Sequence, residues 1–233
     1  GSLGRTSATG DGVAISIREA LKIKNIDPSK ATVAIQGFGK VGYWAAIALE
    51  KLGLKVVAVS DVNGGVTGFS GVESLQKYSR ESGTIIGAPG TDKLTNTELL
   101  HLPVDVLVPA ALSDSVTHST APGIKAKIVV EGANAPTTPQ GDEILNEKGI
   151  LVVPDILANS GGVIVSYFEW VQDKQNFFWS ADEVKENLNR IMMRSIDEVA
   201  QTAKGKKVTW REAANMIGVG RVAQAHRLRG LYP

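Results

Sequence analysis

The 233-residue sequence contains no cysteine. That excludes a disulfide framework, a thiolate zinc site and a cysteine nucleophile, and it fits a reducing compartment, with cytoplasm the expected location. Long hydrophobic runs are also missing. The apolar stretches are strand-sized and broken by Gly or Pro, far short of the roughly 20 residues a membrane-spanning helix needs. The opening "GSLGRTSATG" has no apolar signal-peptide core, so a soluble protein with no membrane partner is expected. Neither sign of charge prevails: 25 Lys and Arg against 24 Asp and Glu give a net charge of +1, without the electrostatic footprint of a nucleic-acid binder. Histidine is scarce. His101, His118 and His226 are isolated and read as ordinary structural positions, and no H-E-x-x-H or similar spacing exists, so no metal is expected. An initiator methionine is lacking too, and a leading Gly-Ser can be a scar of tag removal. The chain is therefore expected to be a piece of something longer.

What the sequence does contain is an alternation. "TVAIQ" (32–36), "KVVAVS" (55–60), "DVLVPA" (105–110), "KIVVE" (127–131) and "ILVVPD" (150–155) are continuous apolar runs of the kind that suits a parallel sheet covered on both faces. Helical patterns begin near Lys40, Val72, Pro139 and Ser160. At the third, Thr138 can cap, Pro139 suits the first helical position, and Asp142 and Glu143 sit where the macrodipole favours acid. After residue 160 the pattern is helical throughout, with "TWRE" (209–212) in capping-box form. The prediction is an α/β fold: a doubly wound, Rossmann-like parallel sheet with helices on both faces and a helical C-terminal tail. No repeat or linker divides it, so residues 1–233 read as one dinucleotide-binding domain, with 205–233 as the tail.

The chemistry-bearing stretch is "VAIQGFGKVGYWAAIALEKLGLKVVAVSD" (33–61). Three glycines at G-x-G-x-x-G spacing arise by chance, but here they follow a strand and open a helix that is expected to end at Gly53. Gly37 permits a tight turn, Gly39 lets backbone amides approach a pyrophosphate, and Gly42 lets the helix pack close to the strand. Phe38, Lys40 and Val41 complete the loop, whose helix N-terminus offers free N–H groups to an anion. About twenty residues further on, Asp61 ends the second strand, where a carboxylate can accept both hydroxyls of the adenosine ribose, with Val62 beside it. The same carboxylate repels a 2′-phosphate, and "VNGGVTGFSG" (62–71) holds no Arg or Lys to welcome one. NAD is favoured over NADP on that ground.

Four more short stretches fall at expected strand ends: "GSLGRTSATG" (1–10), "VPAAL" (108–112), "EGANAP" (131–136) and "ANSGGVIVSYFEWVQ" (158–172). In this order they resemble the C-terminal nucleotide-binding domain of the hexameric glutamate dehydrogenases, over essentially the whole chain including a tail that holds "IGVGRVAQAHRLRG". The resemblance implies reversible oxidative deamination of L-glutamate to 2-oxoglutarate and ammonia with NAD(P). It implies that Arg5 and Thr9 flank the cofactor, that Ala110 and Ala111 line the cleft, and that Asn134 meets the nicotinamide side. For the substrate it implies Ser166 at the side-chain carboxylate, Val163 shaping that pocket and Asn159 at the cleft floor. "SYFEW" favours glutamate over the leucine and phenylalanine dehydrogenases. Taken alone, these residues also have plainer readings: Thr9 as the cap of the helix "GVAISIREALKIK", Asn134 as a turn residue, Ser166 as a packing residue.

No catalytic residue is found in the chain itself. "AKGKK" (203–207) reads as a solvated turn between helices, and Trp170, Phe177, Phe178 and Trp179 as packing. In the resembled family the catalytic lysine, its aspartate and the substrate-gripping lysines belong to an N-terminal domain that precedes this region. The chain alone is thus expected to bind cofactor without turnover, to be a monomer or weak dimer where the whole enzyme is a hexamer, and to direct its tail toward the missing domain. A leucine- or phenylalanine-type dehydrogenase and a stand-alone NAD-binding module are the alternatives.

Overall fold

The computed structural model describes residues 1–230. Its sheet has seven strands: β1 (Thr32–Gln36), β2 (Lys55–Asp61), β3 (Gly64–Thr67), β4 (Asp92–Leu94), β5 (Val106–Pro109), β6 (Ile128–Val130) and β7 (Leu151–Val153). They lie in the order β4, β3, β2, β1, β5, β6, β7. The helices are α1 (Ala8–Ile23), α2 (Lys40–Lys51), α3 (Val72–Ser82), α4 (Asn96–Leu100), α5 (Pro139–Glu147), α6 (Asp155–Ala158), α7 (Gly161–Gln175), α8 (Ala181–Lys206) and α9 (Trp210–Arg229).

The continuous apolar runs have a direct physical explanation. Side chains alternate across a strand, so each run feeds two cores. Val33, Ile35, Val106, Val108, Ile128 and Val130 join α1, α2, α7 and α8 on one face. Ala34, Leu107 and Val129 join α4 and α5 on the other. The expected five strands pair in parallel. Two strands not expected from the sequence, β3 and β4, extend the sheet as antiparallel strands beyond β2. Both are short and carry Gly65, Asp92 and Lys93 rather than an apolar run.

Two local expectations are corrected. The N-cap of α1 is Ser7, not Thr9; Thr9 lies inside the first turn. Residues 203–207 are not a connection between helices, because α8 runs through Lys206 and closes on Lys207 at φ +56°. The expected caps do form elsewhere. Thr138 accepts the Gly141 N–H at 3.2 Å, and Thr209 with Glu212 makes a reciprocal capping box. Residues 231–233 of the expected tail lie outside the described residues.

The functional consequence of this winding is a crevice. From β1 the chain winds outward to β2, then returns to place β5 on the opposite side of β1. From their paired ends at Gln36 and Pro109, β1 leads to α2 on one face and β5 to residues 116–124 on the other, and such a switch point is where open α/β sheets bind ligands.

Candidate cofactor and substrate site

The glycine loop sits at the switch point. Gly37 has φ +99°, and a Cβ there would lie 2.8 Å from the Ala110 carbonyl oxygen and 2.9 Å from the Ala111 Cα. The turn thus presses against the end of β5, bringing Gly37, Ala110 and Ala111 together. A Cβ on Gly42 would stand 1.8 Å from the Gly37 oxygen, so α2 can pack on its strand only without one. Gly39 differs from both. Its φ of −79° suits any residue, and nothing lies within 4 Å of where its Cβ would be. Neither backbone nor packing calls for glycine at that position; open space in front of the helix does.

The start of α2 is also chemically open. Gly39 is the N-cap and supplies no side-chain acceptor, the first turn holds no acid, and Lys40 stands where the macrodipole would favour a carboxylate. Uncapped amides and a cation at one helix end suit a phosphate group. The buried side-chain oxygen of Gln36, one residue before the turn, has no hydrogen-bond partner in the chain.

At the end of β2 the Asp61 carboxylate is already engaged. Oδ1 accepts the Asn63 N–H at 2.7 Å, while Oδ2 accepts the Thr84 hydroxyl at 2.6 Å and the Ile85 N–H at 2.8 Å. A carboxylate offers about four lone-pair positions, so one remains. Asp61 has capacity for one further donor rather than the two expected from the sequence. Val62 is 90 % exposed beside it.

A second group of residues converges on the other side of the crevice. Gly132 packs against Ala110 and Val41. Asn159 donates to Asn134 Oδ1 at 2.8 Å, coupling the end of α6 to the loop after β6. Arg5 Nε donates to Ser166 Oγ at 2.8 Å, and Ser166 in turn donates to the Gly162 carbonyl at 3.1 Å. Thr9 Oγ1 would be 2.5 Å from a Cβ on Gly162, which places it beside the same helix start. The structure therefore joins Arg5, Thr9 and Ser166 in one cluster and Asn134 with Asn159 in another. Val163 is 68 % exposed on α7.

The aromatic expectation is corrected in part. Trp179 packs on Phe168 with ring centroids 5.2 Å apart, but Trp170, Phe177 and Phe178 are exposed. Trp170 stacks on Tyr167 on the open side of α7, with centroids 5.9 Å apart, and Phe177 and Phe178 follow the end of that helix at Asn176, φ +51°. His101 is structural, with Nε2 2.9 Å from the Thr120 carbonyl oxygen, and His118 and His226 are exposed. Among the described residues no cluster of His, Asp and Glu could hold a metal, and no helix is long and apolar enough to cross a membrane.

Sequence reading missed the charged assembly behind the loop after β6. Arg211 on α9 meets Glu131, Asp142 and Asp155. Burial alone would favour the neutral guanidine, but hydrogen bonds and charge from Glu131 and Asp142 outweigh it and hold Arg211 above its usual value. Glu131 stood inside "EGANAP" and Arg211 inside "TWRE", yet spacing gave no sign that they pair.

A groove of about 730 Å³ lies apart from all these residues, between α1, α2 and α8. Asp11 lines it, and burial raises its carboxyl above the ordinary aspartate value despite the opposing effects of Ser7, Lys185 and Lys51. A raised folded pKa means that stability falls as pH rises from the unfolded value of 3.8 through the folded one. Asp11→Asn, which can still accept from Ser7, is therefore expected to raise the melting temperature at pH 7. Its advantage over wild type should vanish below about pH 4. Melting curves at the two pH values check this, and a lower melting temperature for the variant at pH 7 would contradict it.

The fold and crevice define the class: a doubly wound α/β domain with a glycine turn at the switch point. Comparison with known proteins then places it. The family model for glutamate/leucine/phenylalanine/valine dehydrogenases matches residues 1–230, and the chain belongs to that family. It is 52 % identical over 236 residues to a glutamate dehydrogenase of Thermotoga maritima, covering 100 % of this chain and 57 % of the relative. It is 47 % identical to a catabolic NAD-specific glutamate dehydrogenase of Bacillus subtilis, covering 99 % and 54 %. Among solved structures, the hetero-hexameric glutamate dehydrogenase of Thermus thermophilus in a leucine-bound form matches at TM-score 0.93 and 36 % identity, over 100 % of this chain and 56 % of that one. The chain thus spans about half the length of the curated relatives it matches.

Proposed function

We propose that this chain is the NAD-binding domain of a glutamate dehydrogenase, whose whole protein reversibly converts L-glutamate to 2-oxoglutarate and ammonia. The observation that carries the reading is the open space at Gly39, flanked by two glycines whose close contacts fix the turn and by an uncapped helix start. The pyrophosphate would lie on the α2 amides with Lys40 near. Phe38 and Val41 would shape the turn, and Asp61 with Val62 would meet the adenosine ribose through the one acceptor position Asp61 retains. Ala110 and Ala111 would line the cleft, with Arg5, Thr9 and Asn134 toward the nicotinamide. A bound dinucleotide supplies a hydride acceptor; the chain's own residues hold and orient.

Ser166, with Arg5 donating to it, would contact the glutamate side-chain carboxylate, Asn159 would floor the cleft and Val163 would face the substrate side. That the relatives are named glutamate dehydrogenases supports glutamate over the other amino acids of the family description. In that protein the base and the substrate-gripping cations come from a further domain toward which the tail packs, and assembly is a homo-hexamer. Soluble character and a cytoplasmic setting accompany this reading.

Titration of the chain with NAD and NADP in low salt tests it. NAD is expected to bind the tighter, because Asp61 repels a 2′-phosphate. Equal or tighter NADP binding would refute the NAD preference, and binding of neither would refute the cofactor site. Glutamate-dependent NADH formation by the chain alone would refute the need for a second domain. Leucine oxidised faster than glutamate by the full-length protein would refute the substrate.

A further inference from the structure

Arg211 lies on α9, far along the chain from the loop after β6, yet it is bonded to that loop's foundations. Its Nη2 donates to Glu131 Oε1 at 2.7 Å and its Nη1 to Glu131 Oε2 at 3.1 Å, a forked pair. Nε and Nη2 each donate to Asp142 at 3.1 Å, and Nη1 stands 3.8 Å from Asp155 Oδ1. The Glu131 side chain is completely shielded from solvent at 0 % exposure. From this fixed point, order passes to the loop in two steps. Glu131 Oε2 accepts the Asp155 N–H at 2.8 Å, and Asp155 Oδ2 accepts the Ala135 N–H at 2.7 Å.

Ala135 needs such a grip. It holds φ +46°, in the left-handed region that a residue with a Cβ seldom adopts. Its N–H is held by Asp155, and its carbonyl oxygen accepts the Asp114 N–H at 3.0 Å. Asn134, the residue read as meeting the nicotinamide, directly precedes it. Asp61 and the end of β2 lie across the switch point and share none of these bonds.

We propose that Arg211, acting through Glu131 and Asp155, is a positioning residue that sets the loop over residues 132–136 for the nicotinamide half of the cofactor. It touches no ligand itself. The inference rests on the cofactor reading above, and it makes the C-terminal helix a determinant of nicotinamide affinity while leaving the adenosine half alone.

The test compares NAD with ADP-ribose, which lacks nicotinamide, in Arg211→Lys and Asp155→Ala. Lysine keeps a positive charge beside the buried carboxylate, and Asp155→Ala leaves the bonds between Arg211 and Glu131 in place. In both variants NAD affinity is expected to fall roughly tenfold, the equivalent of one lost hydrogen bond to a charged group. ADP-ribose affinity should move less than about twofold, which is ordinary for a change that leaves its contacts intact. Amide exchange at Ala135 should quicken in both variants without any ligand. Equal weakening of the two ligands, or unchanged NAD affinity, overturns the proposal while leaving the cofactor site standing. Wild-type protein that binds neither ligand overturns the cofactor reading itself and this inference with it.

Discussion

Replacing Gly39 by alanine is expected to leave the fold intact and to weaken dinucleotide binding by about a hundredfold or more, the loss of two charge-assisted hydrogen bonds. The backbone at Gly39 tolerates a side chain, and apart from its immediate chain neighbours nothing crowds the new methyl group within 4 Å. What the methyl would occupy is the space through which a pyrophosphate must approach the α2 amides. Gly42→Ala is the control with the opposite signature. There the methyl would meet the Gly37 carbonyl oxygen at 1.8 Å, so helix and strand must separate, and stability falls along with binding. Thermal melts and cofactor titrations of the two variants separate the cases. Should Gly39→Ala bind NAD as wild type does, the pyrophosphate is not on this helix.

That separation also marks how far the sequence alone could go. G-x-G-x-x-G spacing identified all three glycines and assigned them a turn, an open approach and a close contact; the structure adds the partners, Ala110 and Ala111 for Gly37 and the Gly37 carbonyl for Gly42. The parallel strands were legible because each carries enough apolar residues for two cores. β3 and β4 were not, because a short strand with glycine and charge becomes a strand only through the partner that pairs with it. Asp61 was found by its distance from the glycines. Its bonds to Thr84 and Ile85, which consume much of its capacity, arise from a segment more than twenty residues later and leave no local trace.

Arg211 illustrates the same limit more sharply. "TWRE" announces a helix start through Thr209 and Glu212, and that local signal is correct. The arginine between them pairs with Glu131 across 80 positions of sequence, which no window of local pattern covers. Thr9 fails in the other direction. A threonine ahead of an apolar helical run reads as a cap, but the helix already begins at Ala8, so the side chain faces α7 instead. Resemblance to a family singled out Arg5, Thr9 and Ser166, which the fold brings together, but it did not single out Arg211.

The contact that brings Thr9 and Arg5 to α7 carries a large expected effect on stability. Where α1 crosses the start of α7, a Cβ on Gly161 would stand 2.1 Å from the Ala8 carbonyl oxygen and 3.1 Å from the Gly12 Cα. Gly161 has no left-handed φ to protect, so alanine there acts through contact alone. Ala8 is fully buried and its carbonyl belongs to helical backbone, so the collision cannot be relieved by rotating a side chain. The two helices must move apart, at a cost of about 3 kcal/mol as for overpacked cores. In a domain of this size that corresponds to a melting temperature lower by roughly 6–12 °C. Gly12→Ala, whose nearest neighbours stand at 3.1 Å, should lower it by less than half as much. Because the Arg5 to Ser166 bond ties the segment leading into α1 to α7, Gly161→Ala should also loosen the proposed substrate contact in the whole enzyme, raising KM for glutamate more than that for NAD. A variant that melts within 2 °C of wild type would mean that the helices yield more readily than close packing allows.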